Sequence, residues 1–234
     1  MTVQVILVPA GAEYQAVMRG LKAIPHAPPV VAVPAGPAAF RAFLESWADR
    51  SRFATQEILL LGLGGSLSPQ HSVGDAILLE QVWSDTEGDQ PPLFKGGRGD
   101  LPVQCDRALV ESLAQRLKVP VGTGVTCNRV ITTVTEKRRL GDRYEAAVVD
   151  MESAVLLEAM PQAKVAILRV ISDDCSHDLP DIAGAIDPYG SLRPVVLTLS
   201  FLKKPIAALN FIRSSVKGLN TLERLVQRQH QELE

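Results

Sequence analysis

The sequence predicts one α/β domain, three layers deep, with a twisted, largely parallel central sheet flanked by helices. Three observations carry this. Short apolar runs recur along most of the 234 residues, each followed by a turn bearing glycine or proline and then by a stretch of helix formers. Aromatic residues make up only 5% against 46% hydrophobic residues, so the core is built from Val, Leu, Ile and Ala. No internal repeat or low-complexity block interrupts the alternation. Residues 1–190 form the α/β unit, and residues 191–234 form a helical extension packed on it or extending from it.

Taken in order, residues 3–8 read as a buried strand ended by Pro9, Ala10 and Gly11, with a helix over 12–22 that carries Glu13 near its start. Residues 30–33 are a strand, and 37–50 a helix with Pro37 at its beginning. A strand over 57–61 leads into Gly62-Leu63-Gly64-Gly65-Ser66-Leu67, a small-residue loop that is neither G-x-G-x-x-G nor a P-loop. Glycine there signals close backbone approach to a ligand or a neighbouring strand. Val73-Gly74-Asp75 opens the next strand. Residues 84–102 are polar and rich in Gly and Pro, a surface excursion suited to a pocket rim or a subunit contact. A helix over 105–117 places Leu109, Val110, Leu113 and Leu117 on one side, and 121–126 is a strand. Glu136, Lys137, Arg138 and Arg139 read as a solvated helix face.

The densest chemistry lies in residues 148–174. A short apolar run ends in Asp150-Met151-Glu152-Ser153, a helix follows over 154–160, and a second apolar run over 165–171 ends in Ser172-Asp173-Asp174. Carboxylates thus stand at the C-terminal ends of two strands flanking one helix, where open α/β sheets bind ligands. Each acid also has a plainer role: Asp150 as an N-cap, and Glu13 and Glu152 as first-turn acids facing a helix dipole.

Composition narrows the classes. A net charge of −2 gives no argument for nucleic acid. Cys105, Cys127 and Cys175 are widely spaced and odd in number, so neither a disulfide framework nor a metal site is indicated, and no cofactor is implied. No basic, signal-like N-terminus is present and no apolar stretch reaches the roughly 18 residues of a membrane span, so a cytoplasmic protein is expected. Residues 195–229 read as helical, interrupted at Pro205 and Gly218, with Lys203, Lys204, Arg213, Lys217, Arg224 and Arg228 making them basic. Such a helix either packs on the sheet or lies peripherally on an anionic membrane surface.

The D-M-E-S of 150–153, the R-V-I-S-D of 169–173 and the V-G-D of 73–75 resemble the signature elements of the nucleoside phosphorylase/nucleosidase superfamily. The chain is most similar in type to the nucleosidases that release adenine from 5′-modified adenosines. Ala185-Ile186-Asp187-Pro188, the lysine–proline run near 204–205 and residues 130–140 resemble, more narrowly, the hopanoid-associated branch, whose substrate is an adenosylated lipid. The resemblance implies that Asp173 protonates the purine at N7, Glu13 activates water, Glu152 accepts hydrogen bonds from the ribose hydroxyls and Met151 packs on the sugar. A carboxyl at a buried strand end is suited to holding a proton for the base. It further implies that Arg169 orients Glu152 or the nucleophile, that the backbone at Gly64 and Gly65 borders the ribose, and that Ser172 is among the substrate-binding residues.

Relatives place an aromatic where this chain has Val130 and Ile131, so stacking on the base is expected to be aliphatic. The partners implied are a small nucleoside substrate and a second copy of the chain in a homo-oligomer, a dimer being favoured. Two other readings stand beside hydrolysis. A phosphorylase would need cations for phosphate, yet residues 8–13 and 66–74 contain no arginine and an acid stands in the first turn. A non-catalytic nucleoside-binding relative would suit the missing aromatic but not the retention of Glu13, Glu152 and Asp173.

Overall fold

A computed structural model of the chain describes residues 3–85, 101–180 and 205–231. Most of the excursion expected at 84–102, the whole loop at 182–194, and Lys203 and Lys204 lie outside them.

The chain runs β1 (Val5–Pro9), α1 (Ala12–Leu21), β2 (Val30–Val33), α2 (Pro37–Ser46), α3 (Arg50–Phe53), β3 (Glu57–Ser66), β4 (Ala76–Ser84) and β5 (Val103–Gln104). It continues through α4 (Arg107–Leu117), β6 (Val121–Thr126), α5 (Val134–Tyr144), β7 (Val148–Asp150), α6 (Ser153–Ala159), β8 (Lys164–Asp173) and α7 (Pro205–Gln231). The expected strands at 30–33 and 121–126 form with those bounds. The helix expected at 37–50 is divided, because Trp47 adopts an extended conformation after Ser46.

The sheet is mixed. Five strand pairings are parallel (β1 with β2 and β3, β3 with β8, β4 with β6, β6 with β7), and β3–β7, β4–β5 and β4–β8 are antiparallel. The pairings β3–β8–β4–β6–β7–β3 close on themselves, so the middle of the sheet is a ring and β2, β1 and β5 extend from it. Closure needs long strands that bend, and β3, β8 and β4 supply ten, ten and nine residues. The first half of β3 pairs with β1, whereas Gly65 and Ser66 at its end pair with β7. The register slips by one residue between Gly64 and Gly65, a bulge that lets the strand turn from one neighbour to the next.

Residues 62–66 are therefore strand and not the loop expected from their glycines. The glycines answer to neighbouring protein: a Cβ at Gly64 would stand 2.7 Å from a methyl of Val148 and 3.1 Å from the Val149 carbonyl oxygen. The aliphatic core expected from composition fills the space between sheet and helices, with Ile6, Leu7, Ile58, Leu59, Leu60 and Ile167 fully buried.

The C-terminal helix packs on α1, β8, β3 and α4 and places Leu222, Leu225 and Val226 in the main core. It passes Gly218 without a break. That glycine marks a close approach to the sheet, since a Cβ there would lie 3.0 Å from Leu63 Cδ2 and 3.5 Å from the Ile171 carbonyl oxygen. Arg19 on α1 pairs with Glu223 on α7 at 2.9 Å. Beside it, a Cβ at Gly20 would fall 2.6 Å from the Glu223 carbonyl oxygen. Gly20→Ala is expected to force the two helices apart and lower stability by about 1–3 kcal/mol, read by urea unfolding.

Candidate active site

At one end of the ring, the ends of β1, β3, β7 and β8 surround a cavity of about 260 Å³. Its wall contains Glu13, Gly64, Gly65, Val130, Met151, Glu152, Ser172 and Asp173, eight of the nine site residues expected from sequence, together with Leu63. The ninth, Arg169, lies behind the wall and is fully buried.

Arg169 organises the floor of the site. Its Nε donates to Asp150 Oδ2 at 2.7 Å, and its Nη2 donates to Glu152 Oε2 at 3.3 Å. The N-cap of α6 is Glu152, and not Asp150 as expected, so Glu152 is not a first-turn acid either; Asp150 ends β7 two residues earlier, and its Oδ1 accepts from the amides of Glu152 and Ser153 at the start of α6. It also accepts from the Thr126 hydroxyl at 2.7 Å, and Thr126 Oγ1 in turn receives the Ala154 amide, so β6, β7, α6 and β8 are stitched at one point. Glu152 Oε1 receives the Gly36 amide at 2.8 Å, fixing the carboxylate from the other side. Burial pushes the Glu152 carboxyl above its ordinary range, with the Arg169 guanidinium opposing.

Glu13 is both a first-turn acid of α1 and a residue of the cavity wall. Its Oε1 accepts the Leu63 amide at 2.6 Å, which ties α1 to β3 across the cavity floor. Desolvation raises its pKa to about 7 despite that hydrogen bond, and the nearby Glu152 carboxylate adds to the rise. Gly62 lies under both groups: a Cβ there would come within 2.2 Å of Arg169 Nη1 and 3.0 Å of Glu13 Oε1.

Asp173 has a partner the sequence did not disclose. Lys137, expected on a solvated helix face, is fully buried, and its Nζ donates to Asp173 Oδ2 and, at 2.7 Å, to the Asp174 carbonyl oxygen. The solvated reading fails at this one position, because α5 turns Lys137 and Leu140 inward while Arg138 and Arg139 stay exposed. The Ser172 hydroxyl reaches Asp173 Oδ1 at 2.8 Å and the Gly64 carbonyl oxygen at 3.3 Å.

The apolar part of the wall is supplied by Val130, Ile131, Val149, Leu179 and Phe211. Phe211, from α7, is an aromatic that no local motif announced; its placement depends on how the C-terminal helix folds back. Arg129 also lines the cavity and forms a forked pair with Glu136, one arm at 3.1 Å. No group of His, Cys, Asp and Glu side chains among the described residues is arranged to hold a metal ion.

Replacing Arg169 by Met would leave the Asp150 and Glu152 carboxylates buried without their cation. A loss of about 3–5 kcal/mol of stability in urea unfolding is expected.

Solved structures similar to this chain include futalosine hydrolase of Helicobacter pylori, at 16% identity and a TM-score of 0.70, with 97% of each chain covered. Another is the 5′-methylthioadenosine/S-adenosylhomocysteine nucleosidase of Helicobacter pylori, at 17% identity and a TM-score of 0.69, covering 99% of this chain and 100% of that one. The Campylobacter jejuni nucleosidase of the same name has 16% identity and a TM-score of 0.63, covering 97% of this chain and 99% of that one. No curated protein sequence matches the chain. Residues 17–185 match the family model described as the phosphorylase superfamily, and with the fold and the strand-end acids in place, the chain belongs to that superfamily.

Proposed function

We propose that the chain is a purine nucleosidase that hydrolyses the N-glycosidic bond of a 5′-modified adenosine and releases adenine. The observation that carries this is that the cavity has acids and no spare cation among the described residues: Glu13, Asp150, Glu152 and Asp173 line it, Arg169 and Lys137 behind the wall are engaged by the last three of these, and Arg129 on the wall is paired with Glu136. Such a wall offers a phosphate dianion no unpaired cation and admits water and a neutral ribose. Names of the similar structures, a futalosine hydrolase and adenosine-type nucleosidases, support the same chemistry.

In this reading Asp173 gives its proton to purine N7 as the C1′–N9 bond breaks, and the bonding electron pair leaves with the base. Water adds to C1′ and its proton passes to Glu13, whose pKa of about 7 suits a general base at neutral pH. Glu152, held by Arg169 and the Gly36 amide, accepts the ribose hydroxyls, and Met151 covers the sugar. Val130 and Phe211 flank the base or the 5′ group, and the Gly64–Gly65 backbone borders the ribose.

For the 5′ substituent we favour a lipid-like, adenosylhopane-type group, with peripheral membrane contact in the cytoplasm and a homodimer as the assembly. Leu209, Ile212 and Val216 are 52%, 47% and 49% exposed along one side of α7, beside Phe211 in the cavity wall and the cations Arg213 and Lys217. An apolar stripe with adjacent cations suits an anionic bilayer. No helix among the described residues is long and apolar enough to cross a membrane.

Adenine release from methylthioadenosine, adenosylhomocysteine and an adenosine bearing a long 5′ alkyl chain, with and without phosphate, tests the proposal. Release without phosphate and a preference for the alkyl substrate are expected; strict dependence on phosphate would overturn hydrolysis. Because Glu13 must be ionised to take a proton, kcat/KM should rise as pH rises through about 7. Glu13→Gln should abolish that limb and reduce turnover roughly 100-fold or more. Sedimentation with anionic liposomes should be lost when Leu209, Ile212 and Val216 are all changed to Ser, and unchanged sedimentation would reject membrane contact by this stripe.

A further inference from the structure

Lys137 is buried without a contact to the cavity wall's other acids, and the chemistry proposed above does not use it. Its position on α5 is inward-facing together with Leu140, where an apolar side chain would pack at no electrostatic cost. A lysine there must lose its hydration, so its compensation is the carboxylate and the carbonyl it meets at the end of β8. Both acceptors lie at the point where β8 delivers Asp173 to the cavity.

We propose that Lys137 is a positioning residue for the reaction, which selects the Asp173 oxygen that carries the transferable proton; this rests on Asp173 being the proton donor. An ammonium group only donates hydrogen bonds. Oδ2, which faces Lys137 Nζ, is therefore held as an acceptor, and the proton of a neutral Asp173 is confined to Oδ1. Oδ1 faces the Ser172 hydroxyl, whose single hydrogen has an alternative acceptor in the Gly64 carbonyl oxygen at 3.3 Å. When that hydrogen turns to Gly64, Oδ1 keeps its own proton free for the base. The proton then moves from Oδ1 to N7, the C1′–N9 electron pair leaves with the purine, and Lys137 stays protonated beside the carboxylate that remains. The other charged groups around Asp173 do not replace this contact. Asp174 turns its carboxylate to Ser176 and His177, Arg129 is paired with Glu136, and Glu13, Asp150 and Glu152 line the same cavity with charge of the same sign as Asp173.

The test is the split between kcat and KM for phosphate-free adenine release in the full chain. Lys137→Met should reduce kcat about 10-fold or more while KM stays within about twofold, because the proton donor is misplaced and the groups that bind the sugar are not. Lys137→Arg, which keeps the cation, should recover most of kcat. Lys137→Gln, which keeps a donor without charge, reads the same split should the Met variant fail to fold. An unchanged kcat in the uncharged variants, or kcat and KM that change only in step with stability in urea unfolding, would overturn the role. Asp173→Asn separates the two levels: if it remains active, the proton-donor assignment itself falls. If it is inactive while kcat in Lys137→Met is unchanged, only the role of Lys137 is lost.

Discussion

The structure depends on one buried guanidinium. Arg169 sits in the middle of β8, opposite Gly62 on β3 and Ile77 on β4, with no exposed surface. A charge in that position is tolerable only if carboxylates come to it, and Asp150 and Glu152 do so from β7 and the start of α6. Their arrival fixes where the short strand β7 ends and how α6 is capped. The room for the guanidinium is made on β3, where residue 62 has no Cβ, and the same opening admits Glu13 from α1. Four elements are thus placed by the demands of a single side chain, and the cavity is the space they leave.

Compensation at that point is incomplete. One cation faces Asp150 and Glu152 directly and Glu13 at longer range, so three carboxylates share it. Burial raises the pKa of Glu13 to about 7 and that of Glu152 as well, and the neighbouring carboxylates add to both shifts. A carboxyl whose pKa is higher in the folded chain binds more protons there than in the unfolded chain between about pH 4.5 and 7. Its contribution to stability is therefore present at low pH and lost as pH rises through about 7. The ionised state is the one the fold favours less, the pattern expected where a site is built at some expense to stability.

What could be seen in the sequence was what local pattern determines. Strands with aliphatic runs and the acids at the ends of β7 and β8 announce themselves within a few neighbouring residues, although the cap of α6 falls at Glu152 and not at Asp150. What could not be seen depends on partners far along the chain. Glu136-Lys137-Arg138-Arg139 has the composition of a solvated face, and only Asp173, 36 positions later, makes one of the four an interior residue. Residues 62–66 have the composition of a loop, and only the bent pairing with β7 and β8 makes them strand. Phe211 reaches the cavity because α7 crosses back over the sheet, a matter of tertiary packing that no periodicity encodes.

The two ends of α7 answer to different constraints. Its second half belongs to the core through Leu222, Leu225 and Val226, and its closest approaches to α1 and the sheet are made at Gly20 and Gly218. Its first half carries Phe211 into the cavity wall and leaves Leu209, Ile212 and Val216 to solvent. Helical geometry forces these properties into one rigid element, since residues three and four apart share a face and neighbours do not. The register that buries Leu222 and Val226 against the sheet also determines which side of the preceding turns faces the cavity and which faces outward. Removing the helix would strip the core as well as the wall, so the outward stripe can be probed only by substitution within it. A basic helix with an apolar stripe is in this chain a structural element first, and any contact it makes outside the molecule must use the surface that packing leaves over.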